Sequence, residues 1–362
     1  LAELLLTCMS KSQRFSAQKD RKLLRGFRRF LLRLSSDVGD SAVIFDHDAM
    51  TLKIIGLSAR RIFQPILSQA LAVVMLSGTL QPQEVIEAEI LAENIDFSSK
   101  ERISRASFPH VVPDSQIFVS CWPESFSGTC FRFTYAKTQA EKHLAFKDTM
   151  TAGLSQVLLN LCNIVQGGIV VFFTSYDFMQ YVLALFEAHQ VIESMMNRGK
   201  KLFHEKRGPD SSSVLESYRH EIESGSGSGA VLMAIMGGRL SEGINFADSY
   251  GRILCVVGLP YPNPFDLETH ARLEYMKRHG SINTISCAAA TTKNRNSEYE
   301  DAICMTIVNQ TIGRVIRHKD DYAAILFLDN RLFSSSLQQL LSPWVRKNFR
   351  QRQHMNEAPR IK

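Results

Sequence analysis

The chain has no apolar run long enough to cross a bilayer. Stretches such as residues 71–76 and 169–173 fall far short of the roughly 20 residues that a spanning helix needs, so no membrane-spanning segment is expected. No GxxxxGK(S/T) occurs anywhere, which excludes the glycine-rich loop whose amides and lysine cradle phosphate groups. An acidic Mg2+-binding box is missing as well. Cysteine pairs are also wanting: Cys8, Cys121, Cys130, Cys162, Cys255, Cys287 and Cys304 are scattered without a two-residue spacing, which argues against zinc and redox motifs. An odd, dispersed set without a secretory signal points to a reducing compartment. The opening LAELLLTCMS is apolar, but no basic stretch precedes it and no small-residue cleavage site follows, so it fails as a signal peptide. It also lacks an initiator Met, and the expectation is a fragment of a longer protein. No internal repeat is present.

What is present can build a globular fold. Of 362 residues, 45% are hydrophobic, enough for the core of one large or two ordinary domains. The net charge of +6 permits a polyanionic partner without requiring one. Where the charge sits is more informative. Arg14, Lys19, Arg21, Lys22, Arg25, Arg28, Arg29 and Arg33 crowd one stretch in which Asp20 is the only acid. Leu23, Phe27, Phe30, Leu31 and Leu34 recur through it at helical spacing, giving a basic amphipathic helix. Such a face is either solvated or a nucleic-acid contact.

From about Gly167 onward, short apolar runs alternate with helical periodicity, the pattern of a parallel sheet covered on both faces. GGIVVFFTSY (167–176), AVLMAIM (230–236), RILCVVGLP (252–260) and YAAILFLD (322–329) read as strands. Residues 178–186, 265–279 and 298–312 read as helices, and the GSGSG at 225–229 as a flexible turn. The expected fold is α/β, a doubly wound parallel sheet. The earlier part holds the basic helix, strands at 51–59 and 73–80, and a helix at 61–71. It is read as the tail of a preceding domain over residues 1–80, with 81–362 forming the next.

Three segments could carry chemistry. QTIGRVIRHKDDY (310–322) ends a helix. Arg314 and Arg317 are spaced to share one helical face and to meet one polyanion, since a planar guanidinium suits the oxygens of a transferring phosphoryl group. Gly313 would allow a close approach. MGGRLSEGINFAD (236–248) follows a strand; the backbone at Gly237 and Gly238 can turn sharply and offer amides to phosphate oxygens, and Ser241, Glu242, Asn245 and Asp248 add polar groups. In MLSGTL (75–80), Ser77, Gly78 and Thr79 follow an apolar run. Each has a plainer reading as well: surface salt bridges, a common glycine turn, and hydroxyls bonded to local backbone. Trp122 and Phe126 would either stack on a base or sit in the core.

Together with Phe173–Tyr176 and GLPYPNP (258–264), these segments resemble, in order, motifs III to VI of superfamily-2 DNA helicases of the XPD type, over residues 73–322. HVVP (110–113), GINF (243–246) and PYPNP (260–264) resemble most the chromosome-loss branch. Asn245 stands where many XPD-type sequences carry an acid.

The resemblance implies a RecA-like second motor domain of the P-loop NTPase superfamily. In it Gln310, Arg314 and Arg317 face ATP, while Ser77, Gly78, Thr79, Gly238, Glu242, Gly243, Asn245 and Gly313 sense nucleotide or couple it to movement. Thr174, Ser175 and Tyr176 would line the DNA groove. It further implies ATP with Mg2+ held mainly by a first motor domain preceding Leu1. That preceding part would also carry a [4Fe-4S] cluster, and the intact protein would be nuclear. No residue here is assigned to a metal. The competing readings are a truncated, non-catalytic DNA- or protein-binding module and an unrelated phosphate-binding α/β domain.

Overall fold

A computed structural model describes residues 18–35, 40–47, 50–78, 80–83, 86, 90, 103–208, 211–225, 227–241, 245–263, 265–279 and 295–351. The chain divides into two compact units: Leu1–Val74 with Ile86–Ser98 and Asn263–Asn296, and Met75–Val85 with Ser99–Pro262 and Ser297–Lys362.

The first unit contains the basic helix α1 (Gln18–Ser35), an antiparallel hairpin of β1 (Ser41–Asp46) and β2 (Thr51–Gly56), and helix α2 (Arg60–Gln69). The run expected as a strand at 73–80 does not form one. Its described residues are irregular, and Val74 and Leu76 lie exposed, as does Leu71 just before them. An extended segment is a strand only when a neighbour completes its ladder, and no such neighbour is present among the described residues.

The second unit is built on seven strands, all parallel, in the order β5-β6-β4-β7-β8-β3-β9. In chain order its main elements are β3 (Ile117–Cys121), α3 (Met150–Ile164), β4 (Gly167–Phe173), α4 (Tyr176–Ala188), β5 (Lys200–His204), α5 (Ser211–Glu223), β6 (Gly229–Ile235) and β7 (Ile253–Val257). After α6 (Leu267–His279), which lies in the first unit, come α7 (Arg295–Ile312), β8 (Ala323–Leu328) and β9 (Phe349–Gln351). Within the first unit, Lys53 pairs with Glu268 of α6 at 3.1 Å, and the Tyr275 hydroxyl of α6 bonds to Asp40.

Successive side chains of a strand point to opposite faces, and β4 shows the consequence. Val170 and Phe172 enter one core with Met305, Val308 and Ile312 of α7. Ile169, Val171 and Phe173 enter the other with Leu154, Val157 and Leu161 of α3 and Met179, Val182 and Phe186 of α4. Helices therefore cover both faces, and the doubly wound α/β expectation holds. The last glycine of the glycine–serine stretch opens β6 at a tight junction. Gly229 has φ +127°, and a Cβ on it would lie 2.0 Å from the carbonyl oxygen of Gly167, so glycine is required there.

Lys200 opens β5 with no exposed surface. Its ammonium donates to the carbonyl oxygens of Gly167 at 2.7 Å and Ser228 at 2.6 Å. Burial pulls its pKa from 10.5 down to about 8. Between those values the unfolded chain binds more protons than the folded one, so stability rises with pH across that window. Denaturant unfolding at stepped pH checks this: the parent should gain stability from about pH 8 to about pH 10.5 relative to Lys200→Met, in which that difference disappears.

Candidate functional site

In an open parallel sheet the strands' C-terminal ends form the usual crevice, and two of the expected segments lie there. Thr174 and Ser175 leave β4, and Ser175 caps α4: its hydroxyl accepts from the Phe178 amide at 3.2 Å. That helix N-terminus carries the positive end of a dipole and amides suited to phosphate oxygens. Tyr176 is used differently. Its hydroxyl donates to Glu205 Oε1 at 2.7 Å, and burial followed by that bond pushes its pKa up to about 12. Gly238, just beyond β6, makes room for the same carboxylate, since a Cβ would lie 3.0 Å from Glu205 Oε1. Trp122 is buried with Phe126 edge-on at 5.7 Å, which places the tryptophan in the core.

The arginines sit elsewhere. α7 stops at Ile312, so Arg314 and Arg317 do not share a helical face; they lie on the turn that leaves it. Gly313 closes onto its own helix, its amide donating to the Asn309 carbonyl at 3.1 Å. The chain crosses from β7 to its parallel neighbour β8, and such a crossover must return to the strand's starting end. The arginines are thus carried towards the opposite ends of the strands, where β8 begins, with Gln310 exposed in the last helical turn.

There the 236–252 loop meets them. The Phe246 amide donates to the Arg314 carbonyl at 3.1 Å, and Arg317 Nε donates to Asn245 Oδ1 at 3.2 Å. Asn245 therefore fixes an arginine by a neutral amide. Asp321, 1% exposed, anchors the junction. Its Oδ1 accepts from the Asp248 amide at 3.2 Å, the Tyr322 amide at 2.9 Å and Arg252 Nη1 at 2.9 Å. Arg252 also lies over the Tyr322 ring, 3.8 Å from its centroid.

Like charges gather here. Burial, then the charge of Arg314, lowers the pKa of Arg317; burial, then Arg317, lowers that of His110, whose ring packs on Trp344. Repulsion between cations is relieved when an anion binds among them, so the cluster suits a polyphosphate. Asp248, His318 and Asp321 approach closely enough to hold an ion, but His318 already bonds to Asp248 at 2.9 Å and Asp321 to Arg252. The described cysteines include four buried ones, Cys121, Cys162, Cys255 and Cys304, and exposed Cys130. Among the described residues no cysteine group could hold a metal, so these do not fit an iron–sulfur cluster.

Ser77 and Gly78 are exposed in the irregular segment. Thr79, Glu242 and Gly243 lie outside the described residues. Sequence reading missed Glu205, a lone acid after a strand it did not find, and missed the anchoring role of Asp321, although that residue stood inside a recognised segment.

A parallel sheet wound on both faces, with paired arginines where a crossover helix enters a strand, defines a RecA-like second motor domain. The chain belongs to the helicase C-terminal domain family, whose profile matches residues 158–348. It is 29% identical over 360 residues to the ATP-dependent DNA helicase chl1 of Aspergillus fumigatus, covering 95% of this chain and 44% of that protein. It is 32% identical over 332 residues to the ATP-dependent DNA helicase DDX11 of Danio rerio, covering 88% and 35%. The chain thus spans less than half the length of these relatives. A solved XPD helicase structure shares the fold, with a TM-score of 0.51 at 18% identity over 91% of this chain and 51% of that one. The resemblance to XPD-type helicases of the chromosome-loss branch is borne out.

Proposed function

We propose that this chain is the C-terminal motor half of an ATP-dependent DNA helicase, in which Arg314 and Arg317 act on a triphosphate held by a first motor domain. The observation that carries this is the pair itself: burial, then the charge of Arg314, lowers the pKa of Arg317, and Arg317 is held by the neutral Asn245. When water attacks the γ-phosphate, charge develops on its oxygens, and planar donors stabilise it if both are placed beforehand. Gln310 orients the same phosphates from the last turn of α7. Glu242 and Gly243 sense the nucleotide, and Gly238, Asn245 and Gly313 shape the loops that carry the response, with Ser77, Gly78 and Thr79 contributing from the linking segment. The division at residue 80 separates the end of the first motor domain from the second.

Single-stranded or forked DNA is the proposed polymer. The Thr174–Ser175 turn and the N-terminus of α4 grip its phosphates without reading bases, with Tyr176 positioned beside them. Mg2+ and a [4Fe-4S] cluster belong to the preceding part, and the intact protein works in the nucleus in genome maintenance.

Fluorescence anisotropy and ATPase assays on the purified chain test this reading. The expected result is no DNA-stimulated ATP turnover, because positioning the phosphates and Mg2+ falls to residues this chain lacks. Weak binding to a labelled single-stranded oligonucleotide should accompany it and decline as salt rises, since phosphate contacts release counterions. Robust turnover by the chain alone would overturn the division of labour between domains. Salt-insensitive binding, or none at low salt, would overturn the DNA groove.

A further inference from the structure

Glu205 is a carboxylic acid with no exposed surface, placed directly after the edge strand β5. Its amide donates to the Met233 carbonyl at 2.8 Å, which extends the β5–β6 ladder by one residue and fixes where the side chain starts. Oε1 accepts from the Tyr176 hydroxyl at 2.7 Å and from the Leu240 amide at 3.3 Å, and Oε2 from the Ile235 amide at 2.9 Å. The first donor belongs to the loop leaving β4. The other two belong to the last residue of β6 and the turn beyond it. A buried carboxylate is tolerated only when its lone pairs are filled, and these bonds are made only while both loops keep one relative position.

Two further contacts tighten that arrangement. The backbone at Gly238 passes so close that a Cβ would stand 3.0 Å from Oε1. On the other side of Tyr176, Arg207 lies 5.3 Å from the ring centroid and pairs with Asp177 at 2.7 Å. Beyond Leu240, the same loop continues to Asn245 and Phe246, which bond to Arg317 and Arg314.

We propose that Glu205 is a positioning residue that couples the two loops, transmitting displacement of the 174–176 turn to the 236–241 turn, and so to the arginines, through one shared carboxylate. This rests on the helicase reading, in which the first turn meets DNA and the second leads to the nucleotide. The Tyr176 hydroxyl stays protonated at working pH and remains a donor throughout. Because Oε1 serves both loops at once, a shift of either one strains the bond to the other.

The test uses the intact protein with Glu205→Gln, Tyr176→Phe and the double variant. Glutamine keeps the size, but its amide nitrogen cannot accept from a backbone amide; phenylalanine removes only the hydroxyl. ATP turnover at saturating single-stranded DNA, the DNA concentration giving half-maximal stimulation, and thermal melting are measured together. Each single variant should lower DNA-stimulated turnover by about tenfold, the size of one lost charge-assisted bond. The half-maximal DNA concentration should move by less than about threefold, because the groups proposed to grip phosphate, Thr174, Ser175 and the first amides of α4, are unchanged in both variants. The double variant should be no worse than the poorer single one, since both act through the same bond. Parental stimulation in both singles would overturn the coupling. So would losses that multiply in the double variant, or turnover, DNA affinity and melting falling in parallel. A parent protein whose ATPase ignores DNA would overturn the helicase reading and the coupling with it, whereas a stimulated parent with unaffected variants overturns the coupling alone.

Discussion

Replacing Arg314 or Arg317 with alanine in the intact protein is expected to lower ATP turnover by about a thousandfold or more, the loss associated with removing such an arginine from a phosphoryl-transfer site. ATP affinity should change far less, because the main grip on the nucleotide lies in the other motor domain. Lysine should rescue poorly, as it offers a point charge in place of a planar, two-pronged donor. Folding should be preserved: Arg317 is exposed, and what Arg314 gives the fold through its backbone is a carbonyl that accepts from the Phe246 amide, which alanine retains. ATPase kinetics, nucleotide binding and thermal melting on Arg314→Ala and Arg317→Ala decide the matter. Variants that melt like the parent and hydrolyse ATP at near-parental rates would show the arginines to be ordinary surface groups.

The second large effect concerns stability. Asp321→Ala should destabilise the chain by about 3–5 kcal/mol, the usual cost of removing one partner from a buried ion pair. The substitution leaves Arg252 beside an apolar residue and takes the acceptor from the Asp248 and Tyr322 amides together. Asp321→Asn, which keeps an acceptor oxygen, should lose less. By contrast, Asn245→Ala should stay within about 0.5 kcal/mol of the parent, as is normal for an exposed polar group. Urea unfolding of the three variants gives the ranking, and an Asp321→Ala chain as stable as Asn245→Ala would refute the anchoring role.

The strands legible in the sequence were those buried on both faces. The runs at β4, β6, β7 and β8 are continuous and apolar because helices cover them above and below. β5 was not legible: its KKLFH carries two lysines at a sheet edge, as edge strands often do. Helix α3 was hidden for the opposite reason. Ten of its fifteen residues are buried, so it lacks the polar face that makes periodicity visible.

The site divided along similar lines. The polar residues of 310–322 and 236–248 stood out as groups, and the structure joins the two segments through Arg317 and Asn245. Their placement did not follow from spacing, because extending α7 through Arg317 assumes a helix that ends at Ile312. Glu205 was invisible for a different reason. Its significance is a meeting of three donors remote in sequence, which no local pattern encodes.

Asn245 sets the terms on which Arg317 waits. An amide side chain has no proton to gain or lose at working pH, so acidification does not unfasten this contact. Its hold comes from a dipole, and added salt has no counter-charge there to screen. A carboxylate in the same place would cancel much of the arginine's field on an arriving phosphate. The resting arginine is therefore restrained without being discharged, a latch that keeps full voltage on the contact it is waiting to close.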